Sequence, residues 1–142
     1  MIILDTNVIS EWVKPQPDAR VLDWAASFPD EPLCITAVTL GELRFGVARL
    51  PVGHRRDRLA MDIDAALETL VEQTVLPFDR DAAEVLGDVL VTRQHMGRPI
   101  ELADAQIAAI CRSTGATLAT RNTADFEGLG LTLINPWEWT AA

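Results

Sequence analysis

Four acidic side chains stand where an acid needs a reason: Asp5, Glu42, Asp104 and Asp125. Asp5 ends the apolar run Ile2-Ile3-Leu4 and is followed by Thr6 and Asn7. Such a run has the pattern of a strand buried on both faces of a parallel sheet, and open α/β sheets bind ligands just beyond the carboxyl ends of their strands. Taken alone, the acid, hydroxyl and amide ahead of Val8-Ile9-Ser10-Glu11-Trp12-Val13 read first as the cap of a helix. Asp104 resists that explanation. On a helix it shares a face with Ile107, Ala108 and Cys111, and an ionised carboxylate heading an apolar stripe is costly unless it is paired or coordinates a metal. Glu42 falls within a helix, one turn from its start, where the helix dipole is a sufficient reason for an acid. Glu101, one turn before Asp104, reads as a solvated first-turn acid. Asp125, in Thr120-Arg121-Asn122-Thr123-Ala124-Asp125-Phe126, is by itself ordinary turn chemistry, but like Asp5 it lies just past the end of a strand.

Several carboxylates in one pocket repel one another and raise each other's pKa values, a conflict that a divalent cation removes. Ligands that are all oxygen suit Mg²⁺ or Mn²⁺ rather than Zn²⁺. His54 and His95 show no zinc-ligand spacing with a cysteine, and His95, beside Met96 and Gly97, reads as a helix-end histidine.

The elements that must position these acids follow from periodicity and punctuation. After the first strand and helix, Pro15 and Pro17 break the pattern, and Asp18 to Ala26 resumes it with Val21, Leu22 and Ala25 on one face. Pro29 to Pro32 is a turn, Leu33 to Thr36 a second strand, and Val38 to Leu50 a helix carrying Glu42. Arg55 to Glu72 is a longer amphipathic helix, with Leu59, Ile63, Ala66 and Leu70 on its apolar stripe and Asp57, Asp62, Asp64 and Glu68 on its wet face. Val75 to Phe78 is a third strand, which Pro77 places at a sheet edge. Asp79 caps a helix that runs to about Met96 and stops at Gly97. Ile100 to Thr114 is the next helix, closed by Gly115. Thr117 to Thr120 and Leu131 to Ile134 complete the strands, with a loop from Arg121 to Gly130 between them that includes one helical turn, and Asn135 to Trp139 forms the tail. Alternating strands and helices predict an α/β fold of three layers, with a parallel sheet of about five strands and right-handed crossovers. All carboxyl ends of the strands then share one edge. If the first and fourth strands are neighbours, Asp5, Asp104 and Asp125 converge there, and Glu42 joins them from the adjacent unit.

The chain of 142 residues, nearly half of them apolar, predicts a single domain over residues 1–142. No basic leader precedes the first apolar run and no apolar stretch is long enough to span a bilayer, so a cytoplasmic protein with no membrane partner is expected. Cys34 and Cys111 lie in apolar runs, which suits buried free thiols. The net charge of −9 argues against strong non-specific attraction to nucleic acid and fits carboxylates gathered around metal ions or a basic partner protein. The cluster His54-Arg55-Arg56-Asp57-Arg58 reads first as a solvated helix start.

Leu4-Asp5-Thr6-Asn7, Thr39-Leu40-Gly41-Glu42-Leu43, Ala103-Asp104-Ala105-Gln106-Ile107-Ala108-Ala109 and Thr120 to Phe126 together resemble the PIN-domain family, and more narrowly the VapC and FitB-type toxins of bacterial toxin–antitoxin pairs. The resemblance extends over essentially the whole chain, down to Asn135-Pro136-Trp137. It implies a parallel five-stranded sheet flanked by helices and metal-dependent cleavage of single-stranded RNA. It implies Asp5, Glu42 and Asp104 as catalytic, metal-binding acids. Many relatives carry an acid where this chain has Asn122, while others place it three residues later, at Asp125. Asp125 is therefore expected to be the fourth ligand, with Asn122 a hydrogen-bonding neighbour. Thr6 and Asn7 are expected to orient Asp5, and Thr120 to hold a metal-bound water. A homodimer, and a small DNA-binding antitoxin that blocks the site, are further implications.

The chemistry expected is in-line phosphodiester hydrolysis assisted by Mg²⁺ or Mn²⁺, which polarises the phosphate, activates water and stabilises the leaving oxygen. Arg44, Arg121 and the Arg55–Arg58 cluster are candidates for gripping substrate. Two rival readings remain. A phosphatase with a nucleophilic Asp after its first strand wants a second Asp where this chain has Asn7. A catalytically weak domain, acting through antitoxin binding and transcriptional autoregulation, is favoured by Asn122.

Overall fold

The structure, a computed structural model, describes residues 1–27, 30–70 and 74–141. Its elements are β1 (Ile2–Leu4), α1 (Thr6–Trp12), α2 (Ala19–Ala26), β2 (Leu33–Thr36), α3 (Ala37–Ala48), α4 (His54–Leu70), β3 (Val75–Leu76), α5 (Arg80–His95), α6 (Leu102–Thr114), β4 (Thr117–Ala119) and β5 (Leu133–Ile134). Two short 3₁₀ turns, Thr123–Phe126 and Pro136–Glu138, flank β5.

All strand pairings are parallel, and the order across the sheet is β3-β2-β1-β4-β5. The central strand is the one the apolar run predicts. Ile2, Ile3 and Leu4 are all buried, although successive side chains of a strand point to opposite faces, so helices cover both sides of the sheet. Each such Ile or Leu contributes about 1.5–3 kcal/mol by leaving water. The core continues through Val8, Ile9, Trp24, Ile35, Ile107, Ile110 and Leu118. The edge position of β3 agrees with the presence of Pro77 just after it.

The strand order makes the site's location a consequence of topology. From β1 the chain moves outward on one side to β2 and β3, then returns to add β4 and β5 on the other. The switch point lies between β1 and β4, and it is outside the carboxyl ends of such a pair that a doubly wound sheet opens a crevice. Ile2, Ile3 and Leu4 register against Thr117, Leu118 and Ala119, and the Asp5 N–H continues the ladder to the Ala119 carbonyl at 2.9 Å. Asp5 and Thr120 therefore leave the sheet side by side.

Several boundaries differ from the sequence expectation for local reasons. The first helix begins at Thr6, two residues before the apolar run, because Asp5 caps it. The helix after β2 begins at Ala37, since the Thr36 hydroxyl accepts the Thr39 N–H at 3.1 Å and caps it there. Glu42 consequently lies beyond the first turn, and the dipole explanation for it lapses. Helix α6 starts at Leu102, not Ile100, so Glu101 is its N-cap position and Asp104 is the first-turn acid. The expected end of α4 at Glu72 and the start of the turn at Pro29 lie outside the described residues. Gly115 has φ 72°, the left-handed value that a helix-closing glycine adopts freely, and it ends α6 as expected. Cys34 and Cys111 are free and buried, and burial pushes their thiols up to about 11 and 12, so neither is a nucleophile at neutral pH. Among the described residues no helix is long and apolar enough to cross a membrane.

Candidate active site

Asp5, Thr6, Asn7, Glu42, Asp104 and Asn122 line one cleft of about 380 Å³ at the carboxyl edge of the sheet. Each arrives on a different kind of support. Asp5 is fixed by backbone on both sides, as the last rung of β1 and the cap of α1, where its Oδ1 accepts the Thr6 N–H at 2.8 Å. Capping and function are thus not alternatives here. The cap bond occupies Oδ1 and turns the other oxygen toward the β4 end, where the Thr120 hydroxyl donates to Oδ2 at 2.8 Å. Thr120 is fully buried, and its oxygen accepts the Asn122 N–H at 3.1 Å and the Asn7 side-chain amide at 3.3 Å. The same Asn7 amide lies 3.4 Å from Asp5 Oδ2, while its carbonyl accepts the Arg121 N–H at 3.3 Å. Asn7 thereby ties the loop after β4 to the loop after β1. The Thr120 hydroxyl, expected to hold a water, has its donor and its acceptor sites taken up by these protein partners.

Glu42 reaches the cleft from α3 and is exposed. Its Oε1 accepts the Thr6 hydroxyl at 2.8 Å, and that hydroxyl also sits 3.2 Å from the Thr39 hydroxyl one turn earlier on α3. Asp104 enters from the first turn of α6, half-buried, with Ala105, Ile107, Ala108 and Cys111 behind it in the core. Asp125 is on the 3₁₀ turn after β4, exposed, and is not a wall of the cleft, whereas Asn122 is.

Electrostatics joins all four acids. Burial is the main reason that the Asp5 carboxyl is raised above its usual value. The bonds from Thr120 and Thr6 oppose the rise, and the charges of Glu42 and Asp125 add to it. Burial raises Asp104 to about 6, with Asp5, Glu42, Asp125 and Glu101 each contributing repulsion. Asp5, Glu42 and Asp104 meet in the cleft, while Asp125, expected to converge with them, acts on Asp5 and Asp104 through its charge and lies outside the lining. Oxygen donors that destabilise one another as anions fit a hard divalent cation in chemistry and in charge. Among the described residues no three Asp, Glu, His or Cys side chains are already set to enclose an ion.

Four further residues line the cleft that sequence reasoning did not single out as site residues: Ser10, Glu11, Lys14 and Trp137. Glu11 is only 5% exposed. A signal for it was present, since it is the one charged residue in Val8–Val13 and stands four residues after Asn7, on the same helical face. Its carboxyl is held below the usual range chiefly by the hydrogen bond from Lys14. A larger groove of about 830 Å³ adjoins the cleft, shares Thr6, Ser10 and Glu42 with it, and is bordered by His54, Arg55 and Arg58 from the start of α4.

Known proteins resemble this chain over nearly its whole length. The chain is 44% identical over 138 residues to the plasmid stability protein StbB of Pseudomonas syringae pv. tomato, covering 97% of this chain and 99% of the relative. It is 43% identical over 138 residues to the VapC ribonuclease Y4jK of Sinorhizobium fredii, with the same coverage of both. The solved structure of FitAB bound to an IR36 DNA fragment includes a chain that superposes with a TM-score of 0.88 at 35% identity, over 99% of each chain. The model of the PIN domain matches residues 2–130, and the chain belongs to the PIN-domain family.

Proposed function

We propose that this chain is the toxin of a type II toxin–antitoxin module, a ribonuclease that hydrolyses phosphodiester bonds of single-stranded RNA with Mg²⁺ or Mn²⁺. The observation that carries the reading is the cleft itself. Acids from the end of β1, α3 and α6, elements far apart in sequence, line one opening, and burial with their mutual repulsion raises Asp104 and Asp5, a cost that a folded protein keeps when the charge has a use. PIN-domain ribonucleases depend on divalent metals, and the relative named a VapC ribonuclease covers nearly the whole chain.

Asp5, Glu42 and Asp104 would hold the metal, with Asp125 adding negative charge from the rim. A bound divalent ion supplies Lewis-acid polarisation of the phosphate and stabilisation of charge on the leaving oxygen. The chain's own residues prepare for it. Thr120 and the Thr6 N–H hold Asp5 in its ionised orientation, Thr6 anchors Glu42, and Asn7 locks the two loops together so that the acids keep their places when an ion arrives. The partner is a small DNA-binding antitoxin that covers the cleft, and the protein acts in the cytoplasm as one domain, alone as a homodimer or in a hetero-oligomer with that antitoxin. The complex named FitAB, bound to a DNA fragment, supports a partner that meets DNA.

Purified protein is expected to cleave single-stranded RNA when Mn²⁺ or Mg²⁺ is added, and Asp5→Asn and Asp104→Asn each reduce cleavage to background. Cleavage that survives both substitutions refutes the assignment. The presence of Asn122 in the cleft wall, with Asp125 outside it, favours a second reading: a catalytically weak domain working through antitoxin binding and transcriptional autoregulation. That reading predicts no Mn²⁺-dependent rise in thermal midpoint.

A further inference from the structure

Two cations stand in the carboxylate cleft, and each is held by a neighbour that metal binding does not require. Lys14, just past α1, donates from Nζ to Glu11 Oε1 at 2.9 Å. The other oxygen of Glu11 accepts the Asp18 N–H at 3.0 Å, so this buried acid fastens the end of α1 to the start of α2 and aims Lys14 from the joint. The Lys14 side chain is 55% exposed, and an ammonium with one N–H given to a carboxylate has two more to offer. Arg121 sits across the cleft in the loop after β4. Its guanidinium lies over the Trp137 ring, 5.3 Å from the centroid, and its backbone is held by Asn7 and, at 3.5 Å, by the Asn135 side-chain amide. Trp137 also helps to hold the Glu11 carboxyl down, so the two supports stand beside one another.

The pairing of other cations sharpens the contrast. Arg20, Arg44, Arg58, Arg80, Arg98 and Arg112 form ion pairs with carboxylates, whereas among the described residues Arg121 forms none, like Arg49, Arg55, Arg56 and Arg93, and of these five only Arg121 lines the carboxylate cleft. A stacked guanidinium keeps its edge donors free, and those donors match a phosphate in a fork. An acidic cleft in a chain of net charge −9 repels an RNA backbone wherever metal does not reach, so substrate needs cations at the rim.

We propose that Lys14 and Arg121 form a two-point clamp for the RNA phosphates that flank the scissile bond, and that Glu11 and Trp137 are the positioning residues that set the clamp. The inference rests on the ribonuclease reading and extends it to how substrate is held.

The test is steady-state cleavage of a labelled single-stranded RNA by the full-length protein with Mn²⁺, over a series of salt concentrations. Lys14→Met and Arg121→Met should each raise KM about tenfold, as loss of one charge-assisted contact implies. Each should also lower the slope of log KM against log salt by about 0.7, the value for one phosphate contact on a single strand. Lys14→Arg should restore the slope. Glu11→Gln should shift KM and the slope in the same direction as Lys14→Met, which a purely structural role in joining α1 to α2 would not do. Wild-type cleavage with unchanged KM and slope in Lys14→Met and Arg121→Met overturns the clamp and leaves the ribonuclease reading standing. If the wild type shows no cleavage that Asp5→Asn removes, the ribonuclease reading fails and the clamp falls with it.

Discussion

Replacing Asp104 by Asn should make the metal-free protein more stable at neutral pH. The Asp104 carboxyl is raised from the usual 3.8 to about 6 by burial and by the charges of Asp5, Glu42 and Asp125. That difference corresponds to about 3 kcal/mol, at ~1.4 kcal/mol per pH unit. The side chain is only half-buried at an open cleft, and screening by solvent reduces the figure to about 1–2 kcal/mol. A carboxyl whose folded pKa exceeds its unfolded one binds its proton more tightly when folded. The penalty is therefore absent below the unfolded value of 3.8, grows as pH rises from there to about 6, and is fully present above about 6. Urea melts of wild type and Asp104→Asn with a chelator present, from about pH 4 to about pH 7.5, should show the variant gaining about 1–2 kcal/mol at the top of the range and nothing at the bottom. Saturating Mn²⁺ should reverse the order, because a ligand at about a hundredfold its dissociation constant stabilises wild type by about 2.7 kcal/mol and the variant by less. An Asp104→Asn protein no more stable than wild type at about pH 7.5, or one whose advantage persists unchanged at about pH 4, would refute the idea that these acids strain the fold together.

Two other substitutions probe the supports. Thr120→Val removes the hydroxyl that donates to Asp5 Oδ2, so the Asp5 carboxyl should move further up and Mn²⁺ affinity, by calorimetry, should fall about 10- to 100-fold, with Thr120→Ser restoring it. Unaltered affinity would show that the backbone alone positions Asp5. Arg93 on α5 is 3% exposed and donates to the carbonyls of Arg98, Ala124 and Glu127 at 2.8, 3.2 and 2.9 Å, clamping the turn that carries Asp125. Arg93→Met should cost on the order of 3 kcal/mol in urea denaturation, and a loss under about 1 kcal/mol would mean that water replaces the guanidinium.

Much of the scaffold could be read from local chemistry. Ile2-Ile3-Leu4 is too short and too apolar for anything but a buried strand, and the cap at Asp79 and the closing glycine at Gly115 sit where their residue types predict. Two of the boundaries that moved, at Asp5 and Thr36, did so where a side chain accepts a backbone N–H. Thr36 could have ended its strand or opened a helix, and its bond to the Thr39 N–H decides for the helix at once, which carries Glu42 out of the first turn. Arg93 was not legible: in sequence it is one more arginine in the last turn of a helix, and its burial depends on a loop about thirty residues away.

By itself the sequence determined which residues could be acids in a site, because apolar runs and helical spacing placed Asp5 at a strand end and Asp104 at the head of a buried stripe. Tertiary structure alone decided which of them face one another and what holds them. Strand order brought β1 beside β4 and so set Thr120 against Asp5, residues 115 positions apart. It also put Asn122 in the cleft wall and Asp125 outside it, and it turned Glu11, which reads as an unremarked helix residue, into the buried joint between Lys14 and the start of α2. The physical reason is range. Periodicity and capping act over one or two turns of chain, while a hydrogen bond between two loops exists only after the sheet has fixed their distance.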